Sequence, residues 1–307
     1  MDPHRLGLVS TQLHYFQLVA RAGSIRQVAR SLNLAPSSIS RVIVQLEQNL
    51  GTKLFERAKQ RLRLTSAGEL LLYRARLSLG ELNRACTEVG ELQGLHRGTV
   101  TVALVESVAR GLFPVAMGAF WERHPGVAVD ARVMRSADAA AAIADGECEI
   151  ALGFDLRAPR GTQRLGTASV PMGALMSPGH PFAGRESLKL SDLAQEAVIL
   201  SDASLSLGAA IEEALEGGST PVGRRATTNS IGTMVALASS GAGISIQARL
   251  GVEAEIADKR LVFVPLVAST LRPRRLVLLA RNRDRLTEAG GALASMLARA
   301  VGELPSA

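Results

Sequence analysis

Residues 23–68 read GSIRQVARSLNLAPSSISRVIVQLEQNLGTKLFERAKQRLRLTSAG, and this stretch decides how the N-terminal third folds. Ser24 can cap a helix that buries Ile25, Val28, Ala29 and Leu32 and stops at Asn33, a residue that tolerates the left-handed backbone of a tight turn. A longer helix starts near Pro36, and its apolar residues Ile39, Val42, Ile43, Leu46 and Leu50 follow the i, i+3, i+4, i+7 spacing of a core-facing stripe. Ser37, Ser38, Arg41, Val44 and Gln45 therefore point elsewhere. Gly51 closes this helix, and Lys53, Arg57, Lys59, Arg61 and Arg63 follow within eleven residues, opposed only by Glu56. Upstream, Leu13, Phe16, Val19 and Ala20 give residues 11–21 a helical period that Gly23 ends.

Helix, tight turn, helix and basic hairpin in this order predict a winged helix-turn-helix. The outward face of the second helix is short, polar and nearly free of acid near its start. A helix destined only for solvent more often carries Lys and Glu there, whereas one lying in a major groove needs small donors for phosphate and an Arg for a base edge. The candidate DNA contacts are Ser24, Pro36, Ser37, Ser38, Ser40, Arg41 and Gln45, with Lys59, Arg61 and Arg63 on the wing, and Arg41 is the expected base reader. Charge supports this independently. Residues 1–97 carry 14 Lys and Arg against 7 Asp and Glu, and residues 98–307 carry 21 against 21, so the whole net charge of +7 lies in the first third. A chain basic merely for solubility would spread that charge; its concentration points to a polyanion.

Leu46-Glu47, Leu50-Gly51, Leu54-Phe55-Glu56-Arg57, Leu64-Thr65 and Ala67-Gly68, together with the second helix, resemble the LysR-type transcriptional regulators, in whose N-terminal domain these pairs recur at this spacing. The resemblance runs motif by motif over about the first 95 residues; beyond them only the order of elements agrees. It implies a winged helix-turn-helix domain at 1–66, a dimerisation helix at 67–95 and an effector-binding domain at 96–307. That last domain would be built of two periplasmic-binding-protein-like subdomains, about 98–168 plus 268–303 and about 169–267.

The residues themselves carry much of this plan. From residue 67 to about 95 no Pro appears, and Leu71, Ala75, Ser78, Leu82, Ala85, Val89 and Leu92 alternate spacings of four and three, a heptad seam that asks for a partner helix. A homodimer is expected through it; the resemblance adds a homotetramer as the other assembly. An amphipathic helix packed on its own domain is the plainer alternative.

Beyond Gly98 short apolar runs alternate with helical stretches. Strands are expected at 99–105, 127–133, 149–154, 197–200, 224–228 and 243–246, with a late apolar run at 276–280. Helices are expected at 108–123, 138–145, 207–216, 230–240 and 285–301. Such alternation predicts an α/β domain with a mostly parallel sheet, whose ligands sit beyond the carboxyl ends of strands. Ser107, Ser136, Ser201 with Asp202, and Asn229 with Ser230 stand at four strand-to-helix junctions; with Phe154 they form the candidate effector site. Each hydroxyl is also an ordinary cap or turn residue. Helix N-termini favour anions, but Glu106 and Asp202 at two junctions oppose one, so an acid and an amine- or hydroxyl-bearing effector both stay open.

Composition bounds the remaining classes. The 307 residues are 47% hydrophobic, enough for two or three cores, with no apolar run near the roughly 20 residues of a membrane span and no apolar signal segment behind Met1. A cytoplasmic protein without membrane contact is expected. Cys86 and Cys148 are the only cysteines, and His4, His14, His96, His124 and His180 are scattered without metal-ligand spacing. Ser201–Ser206 has no nearby His and no Gly-x-Ser-x-Gly elbow, so no enzyme, cofactor or metal site is expected. The expected partners are double-stranded promoter DNA, a small-molecule effector, a second copy of the chain and RNA polymerase. The alternative is a cytoplasmic solute-binding or sensing protein with an accessory nucleic-acid-binding module.

Overall fold

The computed structural model of the protein describes residues 6–58, 61–92, 98–216, 222–267, 271–282 and 285–304. The chain divides into two compact units, Met1–Arg97 with Asp145–Glu147, and Gly98–Ala144 with Cys148–Ala307.

In the first unit, α1 (Thr11–Ala22) is capped by Ser10 and ended by Gly23 in the left-handed region, and α2 (Ile25–Ser31) is capped by the Ser24 hydroxyl, which accepts from the Gln27 N–H. Asn33 takes φ 53°, the left-handed step the turn requires. Then α3 (Pro36–Leu50) begins with Pro in its first turn and ends at Gly51. Phe16, Val19, Val28, Ala29, Ile39, Ile43, Leu54 and Leu72 form one buried cluster, whereas Leu50, at the end of the expected stripe, is 48% exposed. The wing is an antiparallel pair, β1 (Phe55–Ala58) and β2 (Arg61–Leu64), and it hangs from α1 through the Leu62 N–H donating to the Gly23 carbonyl at 3.1 Å.

The motif pairs at the base of the wing have a physical reason. Glu47 is buried on α3, yet its carboxylate accepts from the Leu54 and Phe55 amides at 2.9 and 3.2 Å and from Lys53 Nζ at 2.7 Å, tying α3 to the start of β1. Burial raises the Glu47 pKa, but the Lys53 ammonium and the two amides outweigh it and hold the carboxyl below its ordinary value. Thr65 donates to the Lys53 carbonyl at 2.7 Å and accepts from the Gly68 N–H at 3.1 Å, capping the next helix. A Cβ at Gly68 would lie 2.2 Å from the Leu54 carbonyl oxygen, so only glycine fits that crossing.

That helix, α4 (Ser66–Leu92), has 27 residues, about 40 Å at 1.5 Å per residue. The N-terminal turns of the expected seam are partly spent at home: Leu71 packs on the helix-turn-helix core beside buried Leu72, and Ala75 is buried. Farther along, Ala85 and Val89 are exposed and Leu82 is half-buried; the Leu92 side chain lies outside the described residues.

The second unit holds two five-stranded sheets. In the first, β3 (Thr99–Leu104) runs parallel to both β4 (Ala128–Val133) and β5 (Ile150–Phe154), while β12 (Arg274–Arg281) runs antiparallel to β5 and to β6 (Thr162–Val170). In the second, β10 (Ile244–Ala248) and β9 (Arg224–Thr228) flank β8 (Val198–Ser201) in parallel, while β7 (Met172–Met176) is antiparallel to β10 and to β11 (Val262–Pro265). In each five-stranded sheet four strands run the same way, as the mostly parallel sheet expected has it, and one strand, β12 in the first and β7 in the second, runs against them. The reason is connectivity: the chain passes from the first sheet to the second at Pro171, between β6 and β7, and returns between β11 and β12, and arriving strands run back along their hosts.

Inner strands are apolar on both faces, as strands covered on two sides must be. In β12, Leu276, Leu278 and Ala280 face one cluster and Val277 and Leu279 the other. The second cluster is roofed by α7 (Ser136–Ala144) through Ala139 and Ile143; α11 (Glu288–Gly302) covers the first through Leu293 and Leu297. The single helix expected at 108–123 is instead two, α5 (Glu106–Arg110) and α6 (Leu112–Arg123), broken at Gly111. A Cβ there would sit 2.7 Å from Glu253 Oε2 and 2.9 Å from the Gly251 nitrogen, so the chain turns where another loop presses on it. The second sheet carries α8 (Ser206–Glu216), α9 (Ile231–Ser239) and α10 (Glu253–Ala257).

Candidate functional site

On the helix-turn-helix, the core stripe of α3 turns Pro36, Ser37, Ser38, Arg41 and Gln45 to the surface, while Ser40 is half-buried. Arg41 has no ion-pair partner among the described residues, and Gln45 donates to Asn49 at 3.0 Å along the same exposed face. Ser24 is half-buried and spends its hydroxyl on the α2 cap, which makes it a positioning residue first. Arg63 is exposed on β2 opposite Glu56, whereas Lys59 and the Arg61 side chain lie outside the described residues. Arg26 and Arg30, exposed on α2, add cations that the reading of the sequence did not single out. An uncompensated guanidinium beside small hydroxyls on a rigid helix can contact a base edge and neighbouring phosphates.

In the second unit, a cavity of about 280 Å³ opens between the two sheets where α5, α7 and α8 begin. Of the sequence candidates, Ser107, Ser136, Phe154 and Asn229 line it. Ser107 follows β3 and is 2% exposed, and its Oγ has no hydrogen-bond partner. Ser136 opens α7, and its Oγ accepts from the Phe154 N–H at 3.1 Å.

Ser201, Asp202 and Ser230 do not line the cavity; the first two serve local backbone geometry. The Ser201 hydroxyl donates to the Asp202 carbonyl, and Asp202 Oδ1 accepts from the Ser204 N–H and Oγ at 2.9 and 2.5 Å in a tight turn. Those bonds, the Ser204 hydroxyl first, hold the Asp202 carboxyl below its ordinary range. Ser230 caps α9.

Three contributors escaped the sequence reading. Ser204 and Ser206 line the cavity from the turn into α8. Arg274, at the start of β12, lies with its guanidinium 5.4 Å from the Phe154 ring centroid, donates Nη1 to the Ser206 carbonyl at 2.6 Å and pairs Nη2 with Asp155 at 2.9 Å. Its Nε is buried and without a partner. Nothing in a run of arginines before a strand distinguishes the buried one, so Arg274 had no local signal. The cavity is apolar walled with a few donors, the make-up of a small-molecule site. Among the described residues no group of three or more His, Cys, Asp or Glu could hold a metal ion, and no helix is long and apolar enough to cross a membrane.

An exposed recognition-type helix at one end of the chain and a ligand-sized cavity in a two-sheet domain at the other define a class: DNA-binding regulators that respond to a small molecule. Residues 10–69 match the bacterial regulatory helix-turn-helix protein, lysR family, and residues 93–302 match the LysR substrate binding domain. The chain belongs to the LysR family of transcriptional regulators, with a DNA-binding helix-turn-helix and an effector-binding domain. The RuBisCO operon transcriptional regulator of Allochromatium vinosum is 29% identical over 92% of this chain and 92% of its own. A full-length OxyR variant from Pseudomonas aeruginosa shares the fold with a TM-score of 0.65 at 18% identity, over 95% of this chain and 94% of that one. Full-length CbnR in complex with its target DNA matches with a TM-score of 0.60 at 21% identity, over 94% of this chain and 98% of that one.

Proposed function

We propose that this LysR-type regulator works in the cytoplasm as a homodimer or homotetramer, placing two copies of α3 in successive major grooves of a promoter dyad. Arg41 reads a base edge; Ser37, Ser38 and Gln45 contact phosphates and neighbouring edges, with Pro36 and Ser40 shaping the start of the helix. Lys59, Arg61 and Arg63 hold flanking phosphates from the wing. The observation that carries this is the exposed, acid-free start of α3 with Arg41 uncompensated, in a chain whose net positive charge lies in its first third. The structural likeness to CbnR bound to its target DNA supports the fold for that task.

The effector is a small molecule in the cavity, held by Ser107 and Asn229 with Ser136, Phe154 and Arg274 forming the wall, and no chemical step follows its binding. Its differential affinity for two arrangements of the subunits changes the DNA bend and so the engagement of RNA polymerase. The orphaned, buried hydroxyl of Ser107, a residue of the cavity wall, carries this half of the reading, because a polar group left unsatisfied beside a cavity is stabilised when a ligand supplies its partner. Titration calorimetry of the full-length protein against small acids, amines and polyols tests it. A saturable ligand whose affinity falls about tenfold in Ser107→Ala supports the site; a ligand indifferent to that change, and to Asn229→Ala, removes it.

A further inference from the structure

Helix α5 belongs to the first sheet's half of the domain, yet its functional groups are engaged by the second. Glu106 Oε2 accepts from the Ile231 N–H at 2.9 Å, and Oε1 accepts from the Gly232 N–H at 2.8 Å and from Ser230 Oγ at 3.3 Å. One turn on, Arg110 donates Nε to the Gly251 carbonyl at 3.1 Å and Nη2 to Glu255 Oε1 at 2.7 Å. Glycine permits the approach: Gly251 has φ 81°, and a Cβ there would lie 2.5 Å from the Ser107 carbonyl oxygen.

The first N–H groups of a helix have no partner within it and sit at its positive end, which makes them an anion site. Here the protein's own carboxylate fills that site on α9. Glu106 and Ile231 both lie on the wall of the cavity, so the filled position is part of the pocket's rim. The groups left unsatisfied there are others, Ser107 Oγ and Arg274 Nε, in residues 2% and 7% exposed. Asp202, the other acid at a junction, turns away into its own loop.

Resting on the cavity as the ligand site, we propose that Glu106 is an internal anion that occupies the α9 N-terminus and, with Arg110, clasps the two halves of the effector domain together. A small carboxylate is thereby excluded from α9 while the clasp is closed, and a ligand that opens or tightens the clasp changes the domain's closure. The carboxylate side chain does at α9 what the acid group of a ligand would otherwise do.

Chemical rescue tests this on the full-length protein. In Glu106→Ala, hydrogen exchange of the 229–234 amides should quicken by about 10- to 100-fold, the factor for losing hydrogen bonds to a charged acceptor. Sodium formate should restore protection saturably, with half-saturation at roughly millimolar concentration, near the ceiling for so small a ligand. Sodium chloride at equal ionic strength should not, and the wild type should not respond to formate. Should Glu106→Ala fail to fold, Glu106→Gln retains the volume but turns an amide towards the α9 donors, and its 229–234 amides should exchange faster with no rescue by formate. Unchanged exchange in either variant, or formate acting alike on wild type and Glu106→Ala, overturns the proposal. Neither readout uses effector or DNA, so such a failure removes the clasp and leaves the cavity reading to the Ser107→Ala titration.

Discussion

Arg41 and Glu47 share one helix and have opposite tasks. Arg41 is held at the surface with its charge uncompensated, and its proposed partner is a base edge. Arg41→Ala should therefore weaken binding to the specific site by about 1 to 3 kcal/mol while barely changing binding to random DNA. Arg63→Ala should weaken both alike and lower the slope of log affinity against log salt by about one, as expected for one phosphate contact. Fluorescence anisotropy over a salt series with both DNAs separates the two outcomes. Glu47 is the reverse case, a buried charge whose value lies in ordering the wing. Its folded pKa is depressed below the ordinary 4.5, so its contribution is fully present above that pH and is lost as pH falls through the lower folded value. Between about pH 5 and 3 the wild type should lose more stability than Glu47→Gln. At neutral pH the variant should be less stable by about 1 to 3 kcal/mol, the usual cost of losing charge-assisted bonds inside a protein. Thermal melts across pH measure both.

Elements show where the sequence was legible and where it was not. Gly23, Asn33 and Gly51 punctuate the helix-turn-helix with left-handed steps, local chemistry that can be read from a single chain, whereas Thr65 and Gly68 entered only through the resemblance, because their partners Lys53 and Leu54 lie more than a helical turn away in sequence. Gly68→Ala should accordingly destabilise the first unit by about 1 to 3 kcal/mol, since backbone and not a flexible side chain must give way. Strands β6, β7 and β11 were missed for the opposite reason. Buried on both faces, Met172–Met176 shows no alternation, and β6 interleaves Thr, Gly and Ser with few apolar positions. The break at Gly111 was likewise set by a loop some 140 residues away in sequence. In α4 the heptad seam is divided: its start packs on the helix-turn-helix, while Ala85 and Val89 are exposed, and the proposed dimer would cover them. Val89→Glu should shift the sedimentation-equilibrium distribution towards monomer at micromolar concentration and leave the far-ultraviolet spectrum unchanged; an undisturbed oligomer would remove α4 from the interface.

For the whole molecule, charge partition and fold make one argument. A basic helix-turn-helix and an electrically balanced two-sheet domain with a cavity belong to one chain, and each makes sense of the other as reader and sensor. Of the junction residues, Ser107, Ser136 and Asn229 lie on the cavity wall, because strand ends and helix starts are fixed by topology, and Ser201, Asp202 and Ser230 do not; Arg274 carried no such signal, since a distant strand brings it into the wall. The central claim is specific recognition of DNA, and footprinting tests it most directly: full-length protein on the promoter region beside its own gene, with random DNA as competitor and salt varied. The expected result is protection in two half-sites related by a two-fold axis, about one helical turn or a multiple apart, persisting under competition. Binding that random DNA removes completely, with no symmetric footprint, would contradict it.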